Sequence, residues 1–119
     1  MIAPRLAVLL REMRDAAQRA LIFVGPRSNA EFLADELLQS AVAMSLLRLG
    51  ESATKILQNY PEFAQAYPDV RWKSMRGARN IIAHAYDELD FVIIWKIVAD
   101  HLPSLITTLD AVLDTPARS

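Results

Sequence analysis

The sequence predicts an all-α protein: one domain, residues 1–119, folded as a four- to five-helix up-and-down bundle. Three observations point there. Glycine is only 3 of 119 residues, too few for the tight turns a sheet needs. Apolar residues, 53% of the chain, recur at helical spacing in each long segment. The single short run that reads as a strand, Phe91 to Trp95, follows a capping Asp90 and passes into helical spacing, which favours helix.

Each element has a start and a stop. The first helix begins near Pro4, a residue suited to the first helical position. Leu6, Leu9, Leu10, Met13, Ala16, Ala17, Ala20 and Phe23/Val24 form its apolar stripe, and Gly25-Pro26 ends it. Ser28-Asn29-Ala30-Glu31 reads as a capping box. From there a second helix is predicted to run to Asn59, its course marked by Phe32, Leu33, Leu37, Ser40, Met44, Leu47 and Ile56. Gly50 lies inside it at a cost of about 1 kcal/mol relative to Ala, so a close approach of another helix is expected there. Pro61 opens a short helix through Tyr67. A third long segment is predicted from about Arg71 to Glu88. Asp90 caps a last helix to about Leu113, with Pro103 kinking or locally breaking it.

Composition narrows the function classes. With an apolar majority and a net charge of −1, a disordered chain is excluded, and no global positive field draws in nucleic acid. Any phosphate contact must come from a local cluster. Without cysteines, disulfides and thiolate metal sites are excluded, and no His/Asp/Glu grouping has metal-ligand spacing, so neither metal nor cofactor is expected. No apolar run approaches the ~20 residues that span a bilayer, and the N-terminus lacks a signal h-region; a cytoplasmic protein without membrane partners is the expectation. Ser52, Ser74 and Ser104 show no local sign of nucleophile activation, and the three glycines form no phosphate loop. His101, beside Pro103, reads as a surface or capping residue, and Trp72 and Trp95 as core or interface anchors.

The stretch Arg71 to Tyr86 carries the chemistry. On a helix, Met75, Ala78, Ile81, Ile82, Ala85 and Leu89 make a core arc, and the opposite face is expected to carry Tyr86, Arg79, Arg76, Asn80, Lys73 and His84. A guanidinium offers phosphate a planar charged fork. An imidazole gives or takes a proton near neutrality. Together they are parts for cleaving RNA without a metal: a base removes the 2′-hydroxyl proton, the oxygen attacks the neighbouring phosphate, and the cation stabilises the charge that develops. The leaving 5′-oxygen also needs a proton, so one His must serve twice or a second copy must supply another. The same face also fits a solvated helix surface whose arginines pair with Asp87 or Glu88, a polar network buried in a dimer, or a binding module with no catalysis of its own.

Arg79-Asn80-x-x-x-His84-x-Tyr86 resembles the Arg-x4-His-x-Tyr signature of the HepT-like branch of the HEPN family. The likeness extends to Phe32-Leu33-Ala34-Asp35, to Leu49-Gly50-Glu51-Ser52-Ala53, to Trp72 leading into Arg79-Asn80, and to Leu89-Asp90, Trp95 and Leu102-Pro103. It covers about residues 28–113; residues 1–27 match only as an amphipathic helix. Val70-Arg71-Trp72 departs from the more usual Ile-Pro-Trp, and Ala78 stands where Met is common, without removing a functional group. The resemblance implies a toxin of a type VII-like toxin–antitoxin pair, a metal-independent endoribonuclease with its site at a homodimer interface. Arg79 and His84 would be catalytic, with Asn80 and Arg76 supporting. A partner nucleotidyltransferase of the MntA type would neutralise it by transferring AMP from ATP to Tyr86, next to the site. The RNA substrate is open, tRNA among the candidates.

Overall fold

A computed structural model describes residues 2–114. It is all-α, and no strand occurs among these residues. In order come α1 (Pro4–Val24), α2 (Asn29–Leu33), α3 (Glu36–Asn59), α4 (Pro61–Ala66), α5 (Trp72–His84), a 3-10 turn (Tyr86–Glu88), α6 (Phe91–Lys96), a π-turn (Ile97–His101) and α7 (Leu102–Asp114). Helix α1 lies along α3 and α7, while α5 packs mainly on α3. The molecule is elongated, 50 × 29 × 20 Å.

The apolar stripe of α1 is buried as expected, with Val24 rather than Phe23 closing it. Gly25, at φ +54°, turns the chain out, and Arg27 donates to the Phe23 carbonyl at 3.0 Å. The capping box forms: the Glu31 N–H donates to Ser28 Oγ, and the Ser28 N–H donates to the Glu31 carboxylate at 2.8 Å. These bonds hold the Glu31 carboxyl below the usual carboxylate range.

The expected single helix from Ser28 to Asn59 is two helices. The chain turns at Ala34, and Asp35 starts α3 by accepting from the Leu38 N–H at 2.9 Å. The Gln39 amide donates to the Phe32 and Leu33 carbonyls and so closes α2. Helix α3 takes its register from Asp35: Leu38, Val42, Leu46, Leu49, Ala53 and Ile56 face the core, while Leu37 and Met44 are 82% and 52% exposed.

The last helix runs on from α6 through the π-turn into α7. Asp90 accepts from the Val92 N–H, and the Leu102 N–H bonds Ile97 five residues back. The wider turn sits immediately before Pro103, which has no N–H for the regular ladder. By length and composition Phe91–Asp114 is long and apolar enough to cross a membrane, which amends the expectation that no segment reaches that length. Five of its apolar side chains, Ile94, Val98, Leu102, Leu109 and Val112, are buried in the core.

Candidate active site

The site is built where α5 crosses α3. Gly50 makes that crossing possible: a Cβ there would lie 2.4 Å from the Arg79 Cβ and 2.7 Å from the Met75 carbonyl. Met75 and Arg79 are one turn apart, so both lie on the side of α5 that faces α3. This corrects the expected placement of Arg79. At ~100° per residue it falls about 40° from Met75, next to the core arc rather than opposite it. Arg76, Asn80 and His84 do share the outward face, and all three are exposed. Of the expected core arc only Ile82 is buried, and Ile81 is 47% exposed.

Arg79 is held from two sides. Its Nε donates to the Glu51 carboxylate in a very short ion-paired contact. Its Nη1 donates to Asn80 Oδ1 at 2.8 Å. The guanidinium is thereby fixed in orientation while part of its fork stays open to solvent. Glu51 stood in the sequence only as part of a resembling motif; its place next to the contacting Gly50 was the available signal. Neither Asp87 nor Glu88 pairs with an arginine among the described residues.

Helix α5 is shorter than the expected Arg71–Glu88. It ends at His84, Ala85 leaves helical geometry (φ −144°, ψ 45°), and a 3-10 turn follows. His84 is therefore the last helical residue. Its ring takes no hydrogen bond from, and gives none to, the described residues. Tyr86 leaves the helix surface altogether. Its ring stands edge-on to Phe91, 6.2 Å away, and Phe91 packs on Phe32. Its phenol lies 3.2 Å from Ser40 Oγ on α3, between the exposed Leu37 and Met44. The ring is 41% exposed. Ser40 is a partner that spacing along α5 had no means of revealing.

The arrangement is thus a clamped cation on one side of α5, an imidazole at its end, and an exposed phenol two residues beyond. Arg76 reaches neither Arg79 nor His84 by a hydrogen bond among the described residues. Trp72 is buried and donates its indole N–H to the Tyr67 carbonyl, and Trp95 packs on Phe32, so both are anchors of the fold. No three His, Asp or Glu side chains gather as a metal site among the described residues.

Comparison with known proteins places the chain in a family. A sequence profile described as "Ribonuclease HepT-like" matches residues 13–112, taking in half of α1 as well as α2 to α7. The chain is 31% identical over 96 residues to "Putative RNase MJ1380" of Methanocaldococcus jannaschii, covering 81% of this chain and 85% of that protein. It is 33% identical over 106 residues to "Putative RNase MJ0127" of the same organism, covering 88% and 81%. It is 36% identical over 75 residues to "Probable ribonuclease HepT" of Thermococcus cleftensis, covering 63% and 66%. No solved structure matches the chain. With most of its length matched by the profile and by these relatives, this chain belongs to the HepT-like ribonuclease family.

Proposed function

We propose that this chain is the RNA-cleaving toxin of a prokaryotic toxin–antitoxin pair, a cytoplasmic endoribonuclease that needs no metal. Membership of a ribonuclease family supports the activity in general. The observation that carries the finer reading is the split between the two reactive groups. Arg79 is clamped against α3 by Glu51 and braced by Asn80 of its own helix, and His84 stands exposed at the end of α5 without a hydrogen-bond partner among the described residues. Five residues apart, they project about 140° from each other around the helix, so a single chain does not close them on one phosphodiester.

Two copies related by a two-fold axis would complete the site by opposing their α5 ends. Exposed Leu37 and Met44 on the adjoining face of α3 offer such a contact apolar surface. One His84 imidazole then removes the 2′-hydroxyl proton. The 2′-oxygen attacks phosphorus, and Arg79 stabilises the negative charge on the phosphoryl oxygens. The second imidazole protonates the departing 5′-oxygen, leaving a cyclic phosphate and a free 5′-hydroxyl. Asn80 keeps the guanidinium oriented, and Arg76 adds a nearby cation for the RNA backbone. Tyr86 would be the acceptor through which a cognate nucleotidyltransferase silences the toxin. An adenylate there adds negative charge and bulk beside the site.

The test is cleavage of RNA by purified protein in EDTA, with His84→Ala beside it. The variant should cut about 10²–10⁴-fold more slowly while melting at the same temperature. Equal rates would sink the assignment, and restoration by magnesium after EDTA would remove the metal-free part of it. The antitoxin step is read by mass spectrometry of the Tyr86 peptide after co-expression with a nucleotidyltransferase and ATP.

The exposed phenol on Ser40 also favours a second reading, a non-catalytic module that serves as partner and modification target. RNA or partner binding with no cleavage under any metal condition would select it.

A further inference from the structure

Away from the reactive groups, α5 does not close onto the last helix. Between α3, α5 and the π-turn lies a cleft of about 520 Å³. Its floor is aliphatic, including Leu46, Leu49, Met75, Leu102 and Leu105. Its rim is polar: Asp69, Arg71, Ser74, His101, Ser104 and Thr108. Ser104 donates to the His101 carbonyl; the other five side chains make no hydrogen bond or ion pair within the described residues. Of those five, four can donate, and Asp69 alone is a carboxylate. His101 is carried by the π-turn, a local widening that is frequent at functional sites.

Size and chemistry together restrict the occupant. The volume lies within the ~300–1,000 Å³ of small-molecule sites. Fourteen residues line the cleft, against roughly 20–30 on each side of a protein–protein interface. Aliphatic walls ask for an apolar body, and an unpaired guanidinium among donors asks for an anionic head.

We propose that this cleft binds a small amphipathic anion, an aliphatic body with one carboxylate or phosphate, the head meeting Arg71 and His101 and the body resting on the leucines. The site is separate from Arg79 and His84, and the inference stands whether or not the chain cleaves RNA. A ligand there would touch Ser74, Met75 and Ala78 of α5, the helix that carries Arg79.

The experiment uses the full chain and the anionic dye 1-anilinonaphthalene-8-sulfonate, displaced in turn by decanoate, decyl phosphate, decanol and decylamine. The expected result is a saturable single dye site from which the two anions compete at least tenfold better than decylamine; whichever anion competes better identifies the head group. Arg71→Ala should erase that preference. Thr108→Trp should abolish dye binding by filling the cleft, and Ser104→Phe serves the same purpose if circular dichroism shows the first variant unfolded. Dye binding that both folded variants leave unchanged, or decylamine competing as well as decanoate, overturns the proposal. So does dye binding that falls as protein concentration rises, which would mean that a second copy covers the cleft.

Discussion

The two ends of the signature are built differently. At Arg79, two backbones meet over Gly50, and the side chain is pinned by Glu51 and Asn80. At His84 and Tyr86, the helix has just ended and both side chains are exposed, the imidazole without a hydrogen-bond partner among the described residues and the phenol set against Ser40 and Phe91. The pinned end is preorganised, which is what charge stabilisation requires. The free end can be approached by a substrate, a second copy or a modifying enzyme. Under the proposed function, the contrast becomes a division of labour: a cation placed by folding and a proton carrier placed by encounter.

Substitutions at the two ends should separate in kind. Arg79→Lys should lower RNA cleavage by about 10²-fold or more, because an ammonium does not reproduce the fork. Unlike His84→Ala, it should also lower the melting temperature measurably, since it breaks the contacts with Glu51 and Asn80. Equal melting temperatures for both variants would erase the proposed distinction.

Gly50→Ala tests the crossing itself. Helix propensity would gain about 1 kcal/mol, but the added carbon overlaps backbone at Met75 and the Arg79 stem, and such overpacking costs roughly 1–3 kcal/mol. A net loss of up to about 2 kcal/mol should appear as a melting temperature lower by up to several degrees, together with slower cleavage. A more stable variant would show that the crossing is looser than described.

Glu51→Gln keeps the shape and removes the charge. Cleavage should fall by about tenfold through a less firmly aimed guanidinium, with binding of RNA little changed; a kcat loss at constant KM is the expected signature. The smallest effect belongs far from both ends. Ser28→Ala removes the cap of α2 and should lower the melting temperature by a few degrees or less without touching cleavage. The Ser28 backbone N–H, which does most to hold the Glu31 carboxyl low, survives the substitution. That half of the box is present at neutral pH and fades as pH falls through the carboxylate range, so wild type and variant should both lose stability there, with the gap left by the lost hydroxyl bond to the Glu31 N–H largely retained.

Much of this architecture was legible in single residues. Pro4, Gly25-Pro26, Ser28-x-x-Glu31, Pro61 and Asp90 mark helix ends where the chain does begin and end helices. Gly50 announced a close approach before its partner was known. The misreadings have local causes. Asp35 is a good N-cap hidden within a continuous apolar pattern, so α2 and α3 read as one. Ala85 stops α5 without glycine or proline, and its signal is tertiary: Tyr86 is drawn to Ser40 and Phe91. The side of α5 taken by Arg79 was open to angular arithmetic from Met75. Its pairing with Glu51 was not, because two residues 28 apart in sequence meet only once the helices cross.

Gly50 has no functional group, yet of the three glycines it leaves the least room for an added carbon. How far a guanidinium extends over its neighbour is decided by how near two main chains can come, and a lone hydrogen at that crossing permits the minimum. Part of the reactive geometry is therefore written as missing carbon. An engineer wishing to redirect such a protein to a bulkier target would do well to vary the spacer before the chemistry.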